Sequence, residues 1–413
     1  MKNEIIKFLV VISMFLFLVL NFQKVNIESN LNNLASVFFK DSITTKSLLK
    51  KFEKIDSQII LNEKDKIKIM IVPGHDDDHS GAVFGETKEA DLNLKLAKKI
   101  NKILNNQKDF NVFLSRDEEG YNPKLKKYLE KENEDIAEFR QEKAEMMKKL
   151  IKKGEVSSYI NVQHNFAPSK VVDILYGINK YSNDNDFDIV LHIHFNDYAG
   201  RVGSETKYSG FSIYVPEKQY SNSEASYQLA KKIKEQLELF LPISNLPKED
   251  AITEDQELIA VGAYNTSDAI SILVEYGYIY EPQFNNELIK DNILDELAIQ
   301  TYWGIRNYLK DESTKKEIFS ALKDFKFDEE LSKGDKGIDV LALQALLRNK
   351  NVYPTNEETF NNCPISGFFG DCTKNSLQAY QKELDIEESG IFDKNTIDNI
   401  SPTYLFNFTE SSI

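Results

Sequence analysis

Only two cysteines occur in the 413 residues, both late in the chain, so neither a disulfide framework nor a four-thiolate zinc site can be assembled from them. Any metal must be held by histidine and carboxylate. No polybasic block is present, and Lys and Arg total 51 against 66 Asp and Glu, a formal charge of -15. Nucleic-acid binding through phosphate neutralisation is therefore not expected. An acidic chain suits an uncharged or cationic partner better. With 17 Gly, 10 Pro and a hydrophobic share of 41%, the chain is too apolar for disorder. At roughly 100 to 200 residues per domain, two or three units are expected.

One long apolar run stands out, Phe8 to Leu20, behind Met1-Lys2 and Lys7. That is the pattern of an export signal, so the protein is expected to leave the cytoplasm. The run reaches roughly 20 Å as a helix, short of the ~30 Å hydrocarbon core. Yet no A-x-A-like cleavage site follows in NFQKVNIES. Residues 1–22 are read as either a cleaved signal peptide or an uncleaved membrane anchor, and residues 23–65 as a polar stalk or linker.

From residue 66 to 311, short β-rich runs alternate with amphipathic helical patterns. The runs are IKIMIV (67–72), FNVFLS (110–115), DIVLHIHF (188–195), GFSIYV (210–215) and AISILVEYG (269–277). This predicts an α/β domain, a mostly parallel sheet flanked by helices. Leu92, Leu96, Ala97, Ile100, Ile103 and Leu104 recur at helical spacing and give the first crossover helix its sheet-facing side.

The candidate chemistry lies at strand ends. The first strand runs into Pro73-Gly74-His75, and the loop that follows delivers Glu86 and Glu89 at a helix start. In HIHFN, alternation puts His192 and His194 on one face and Leu191, Ile193 and Phe195 on the other. Two imidazoles and a carboxylate make a zinc site with one position open for water. Glu275 interrupts an otherwise apolar strand, ISILVEYG, near its C-terminal end, and fits the part of a proton-transferring base.

These blocks, in order, resemble the zinc-dependent N-acetylmuramoyl-L-alanine amidases of bacterial cell walls, the amidase type 3 class. IVPGHDDDHSGAVFGETKEADLNLKLAKKI, VFLSRD, DIVLHIHFND and AISILVEYGYI carry the likeness. The resemblance implies an amidase-like fold and Zn2+ held by His75, Glu89 and His194. It also implies Glu275 as the catalytic glutamate, acting on the amide between N-acetylmuramic acid and the first L-alanine of the stem peptide. Asp76, Asp77 and Asp78 depart from the Gly-Gly usual after the metal histidine, and His192 stands where the family commonly has Ser. His192 is read as touching substrate, competing as a ligand or serving structure. Asn196 belongs with it at the strand end, and Glu86 is the fallback if Glu89 only starts the helix.

The stretch 118–187 is longer than the family's usual connection. Its first half predicts a solvated helix or helical hairpin. Its second half holds His164 and an amphipathic run, and the insert either shapes substrate entry or decorates the rim. Residues 328–400 resemble the small all-α, three-helix peptidoglycan-binding domain often appended to wall hydrolases. Here GFFGDCT (367–373) and GIFDKNT (390–396) repeat a Gly-x-Phe turn, with each Thr expected as a helix N-cap. Val340, Leu343 and Leu347 are the expected buried positions of its first helix. Cys363 and Cys372 are left as either a disulfide or two thiols. The expected partners are peptidoglycan and, through the N-terminal segment, a membrane, with any protein partner unknown. The competing readings are a zinc carboxypeptidase-like amidohydrolase and a non-catalytic wall-binding scaffold.

Overall fold

The computed structural model describes residues 45–56, 66–157, 169–256, 258–261, 269–310, 318–322, 325–327, 329–356 and 358–399. The apolar run at 8–20, most of the expected linker, and His164 lie outside the described residues. Among the described residues, no helix is long and apolar enough to cross a membrane.

The central sheet has six strands: β1 (Ile67–Pro73), β2 (Phe110–Leu114), β3 (Ile189–Asn196), β4 (Ser212–Pro216), β5 (Ile252–Asp255) and β6 (Ile270–Tyr278). Their order across the sheet is β2-β1-β3-β6-β4-β5. The first four in that order are mutually parallel, β4 is antiparallel to β6, and β5 is parallel to β4. Five strands coincide with the apolar runs in the sequence. The sixth, ITED, is short, polar and at the edge, so it offers no apolar alternation to read.

Among the described residues, ten helices longer than one turn surround and follow the sheet: α1 (Thr45–Asp56), α2 (Glu89–Asn105), α3 (Pro123–Lys131), α4 (Asn133–Lys153), α5 (Ser169–Asp184), α6 (Ser223–Leu237), α7 (Lys290–Lys310), α8 (Ile338–Asn349), α9 (Asp371–Glu383) and α10 (Lys394–Asn399). The alternation of β3 and β6 decides which residues meet which layer. Ile189, Leu191, Ile193 and Phe195, with Ile270, Ile272, Val274 and Tyr276, face the core shared with α2, α6 and α7. Met70, Val72 and Val190 face the other way and pack on Leu125, Ile178, Tyr181 and Phe187 of the 118–187 insert. The insert thus covers the sheet face from which His192, His194 and Glu275 project.

Helix α1 lies inside the segment expected as linker. It is docked rather than free: Leu48 is fully buried in the main core, and Lys51 pairs with Asp188 at the start of β3. Lys68 N also donates to that Asp188 carboxylate at 2.8 Å. The linker reading therefore does not hold for residues 45–56, whose apolar face finds the helices beneath the sheet.

In the C-terminal unit Val340, Leu343 and Leu347 are buried as expected, and Cys363 and Cys372 form a disulfide. The two Gly-x-Phe turns are held alike. Gln344 Oε1 accepts Gly367 N–H at 2.9 Å, and its amide donates to Phe368 O and to Thr373 Oγ1. Gln381 does the same for Gly390, Ile391 and Thr396. The threonines are not the N-caps that the spacing predicts. Each sits one residue pair inside its helix, because the glutamine of the preceding helix claims its hydroxyl, and Asp393 caps Thr396 N–H instead at 2.8 Å.

This unit shares core with the α/β domain. Ile318 and Phe319 are buried at the joint, and Phe319 stacks edge-on against Phe240 at 5.5 Å. Arg348 Nε donates to Leu239 O at 2.7 Å, and Asn349 bonds the backbone of Ile318.

Candidate active site

The four parallel strands end at one edge of the sheet, where chain leaves β1, β3 and β6 with polar side chains. After β1, Gly74 N–H donates to Ile193 O at 2.9 Å, and His75 follows with φ 62°. Glycine is required before it. A Cβ on Gly74 would lie 2.1 Å from the His194 ring. His75 itself occupies a left-handed conformation that costs a non-glycine residue of order 1 kcal/mol, a strain typical of functional sites.

Glu89 opens α2 and is only 5% exposed. One carboxylate oxygen lies 3.2 Å from His75 Nε2 and the other 3.0 Å from His194 Nδ1. Ala82 N–H donates to it at 2.9 Å, and Asn93, one turn along α2, sends its amide to Glu89 and to Gly74 O. One potential ligand atom from each of His75, Glu89 and His194 lies within 4.8 Å of the other two. Burial disfavours the Glu89 charge, but hydrogen bonds from His194 and His75 more than offset it and hold the carboxyl below its ordinary range. Burial likewise disfavours protonated His75, while Glu89 outweighs it and raises the imidazole above its usual value.

Glu275 is the register partner of His194 across β6 and β3. It is 8% exposed, and its Oε2 is buried without a hydrogen-bond partner. Burial first, then the negative charges of Glu89 and Glu249, push its proton affinity well above that of an ordinary glutamate.

The remaining candidates separate. Glu86 is exposed on the turn between the paired segments Val83–Phe84 and Thr87–Lys88 and stands outside the group of three. His192 is buried beneath the site with Nε2 unpartnered, and burial lowers its pKa to about 3. A neutral imidazole results at any working pH. Asn196 turns its amide to Glu249 at 3.2 Å. The acidic loop is internally satisfied: Asp76 accepts from His79 N–H at 2.8 Å and from Tyr121 O–H at 3.0 Å, which engages His79 in its own loop.

Two residues near the site carried no role in the sequence reading. Arg116 is buried and donates to Pro73 O, Gly74 O and Ala90 O at 2.8 to 3.2 Å, tying the His75 turn to the start of α2. Its signal was a charge immediately behind an apolar strand. Glu249 lies in the polar loop NLPKEDA, which has no periodicity to mark it.

A model of the N-acetylmuramoyl-L-alanine amidase family matches residues 69–307. The chain belongs to this family. A putative peptidoglycan binding domain matches residues 336–400 of the amidase. Among solved structures, the amidase is similar to the CwlD amidase of Clostridioides difficile in complex with the GerS lipoprotein, at 17% identity and a TM-score of 0.40, covering 60% of this chain and 100% of that one. An N-acetylmuramoyl-L-alanine amidase of Clostridium difficile 630 shares 20% identity at a TM-score of 0.37, over 60% and 99% of the two chains. The catalytic domain of CwlV from Bacillus (Paenibacillus) polymyxa shares 18% at 0.37, over 60% and 99%. No curated protein matches the amidase. It is a peptidoglycan amidase with an appended peptidoglycan-binding domain.

Proposed function

We propose that the amidase holds zinc through His75, Glu89 and His194 and moves the reaction's proton through Glu275. The carrying observation is the convergence of those three donors within 4.8 Å, beside a buried carboxyl whose Oε2 has no partner. Two imidazoles and a carboxylate are the donor set that zinc hydrolases use, so the residues fit the ion. Bound there, zinc supplies a Lewis acid that polarises the scissile carbonyl and acidifies the attacking water.

The chain's own groups do the rest. Glu275 takes a proton from the attacking water and delivers it to the alanine nitrogen as the muramoyl–alanine amide breaks. Its buried setting, which raises its proton affinity, suits a group that must both accept and return a proton near neutral pH. Arg116 and Asn93 keep the His75 turn and Glu89 in register. His192, neutral and buried, lines the floor beside His194.

The apolar run Phe8 to Leu20 supports export, and a disulfide at Cys363–Cys372 fits an oxidising compartment outside the cytoplasm. The run then serves as either a cleaved signal or a retained anchor. Fractionation of cells and sequencing of the mature N-terminus separates the two.

Digestion of purified peptidoglycan with and without chelator, beside Glu275→Gln, tests the chemistry. Zinc-dependent appearance of L-alanine amino groups without new reducing ends, lost in the variant, is the expected outcome. Zinc-independent release, or full activity in Glu275→Gln, would remove this assignment of the site.

A further inference from the structure

Regular pairing between β3 and β6 is interrupted after Glu275. Glu275 faces His194, but the next matched pair is Tyr278 with Asn196, so three steps on β6 answer two on β3. The extra residue makes a bulge, and Gly277 within it takes φ 152°. Past the bulge the ladder resumes, with Ile279 N–H donating to Asn196 O at 2.9 Å, so only Tyr276 and Gly277, between Glu275 and the resumed pair, lack a register partner on β3.

A buried side chain braces the bulge as well. Glu249, 7% exposed, reaches both members of the pair that closes the bulge. Asn196 donates its amide to the two carboxylate oxygens at 3.2 and 3.4 Å, and Tyr278 O–H donates at 3.3 Å. Tyr214 O–H and Ser244 O–H donate to the same carboxylate, and Ser244 also meets Tyr278 at 3.2 Å. Tyr214 stands on β4, two residues from Ser212, the register partner of Glu275 on its other side. One carboxylate therefore ties together the three strands that flank and carry Glu275. It is saturated with donors, so it is poorly suited to bind substrate itself.

We infer that Glu249 is a positioning residue for catalysis: it braces the bulge that follows Glu275, and so the geometry of Glu275 relative to His194, where the sheet's register shifts. The inference rests on Glu275 being the proton-transfer group. Glutamine at 249 keeps the shape but turns an NH2 towards hydroxyl and amide donors, which breaks the clamp from within.

The test uses the full chain loaded with zinc, comparing wild type, Glu249→Gln, Tyr278→Phe and Glu275→Gln on soluble peptidoglycan fragments. Zinc content, thermal midpoint, kcat and KM are measured for each. Glu249→Gln should bind zinc as wild type does and keep KM within about twofold, while kcat falls roughly tenfold to a hundredfold. Tyr278→Phe should show the same split with a smaller fall. Unchanged kcat in folded Glu249→Gln, or a fall that merely follows lost zinc, would overturn the inference. If Glu249→Gln does not fold, Tyr278→Phe decides by the same criterion. Glu275→Gln inactive with Glu249→Gln at wild-type kcat would sink this inference alone, whereas an active Glu275→Gln would remove the reading beneath it.

Discussion

Glu275 and His194 are register partners on adjacent parallel strands, so both side chains leave the sheet on the same face. Their separation is a property of the sheet rather than of a loop. Proton transfer and metal binding can accordingly be dissected by substitution. Glu275→Gln should retain zinc and lower kcat by about 10²- to 10⁴-fold, the usual worth of a general acid–base group. Metal analysis of the purified variant beside its turnover number checks both halves.

Removing a donor should have the opposite signature. In Glu89→Gln, His75→Ala or His194→Ala, zinc itself should be lost together with activity. Equilibrium dialysis against zinc reads this directly. Zinc bound as in wild type by Glu89→Gln would exclude Glu89 from the donor set and return attention to Glu86.

Arg116 touches no donor atom, yet it holds three backbone carbonyls around His75 and Glu89. Lysine keeps the charge but cannot span all three, since it lacks the planar fork. Arg116→Lys should weaken zinc binding by about 10- to 100-fold, in line with other residues that orient metal ligands. A chelator competition series would show it, and unchanged zinc affinity would argue against the role.

The joint between the domains carries a pH dependence. Glu296 on α7 is 2% exposed, and burial raises its pKa to about 7, opposed by hydrogen bonds from Gln300 and from the backbone of Phe319. A glutamate whose folded pKa exceeds its unfolded value contributes stability that is fully present below about pH 4.5 and lost as pH rises through about 7. From its shift that loss is about 3 kcal/mol. Denaturant unfolding at pH 5 and pH 8 should show this decline in wild type and a smaller one in Glu296→Gln. Equal declines would mean that the group titrates normally.

What could be read from the sequence was whatever burial wrote into periodicity. The strand runs, the shared face of His192 and His194, and a lone carboxylate in ISILVEYG all follow from alternation on a two-sided sheet. Helix α1 was hidden because half of the short segment TKSLLKKFEKID is charged, and its docking depends on Leu48 meeting residues far along the chain. Glu249 was hidden for a different reason. Its partners come from three strands and a loop, and only the register shift after Glu275 brings them together. The threonines of the C-terminal turns were misread because local capping rules did not anticipate competition from Gln344 and Gln381.

The buried joint around Phe240, Phe319, Leu239 and Arg348 has a mechanical meaning. A flexible tether would average over many separations between the grip on the wall and the cut, and its local concentration would fall with length. A fused joint replaces that average with one register. The hypothesis that follows is that stem peptides are released at a preferred offset from the point of attachment, and stems presented out of phase stay on the glycan although the strand is gripped. A periodic spacing of retained stem peptides along the glycan would be its signature, and a random one would count against it.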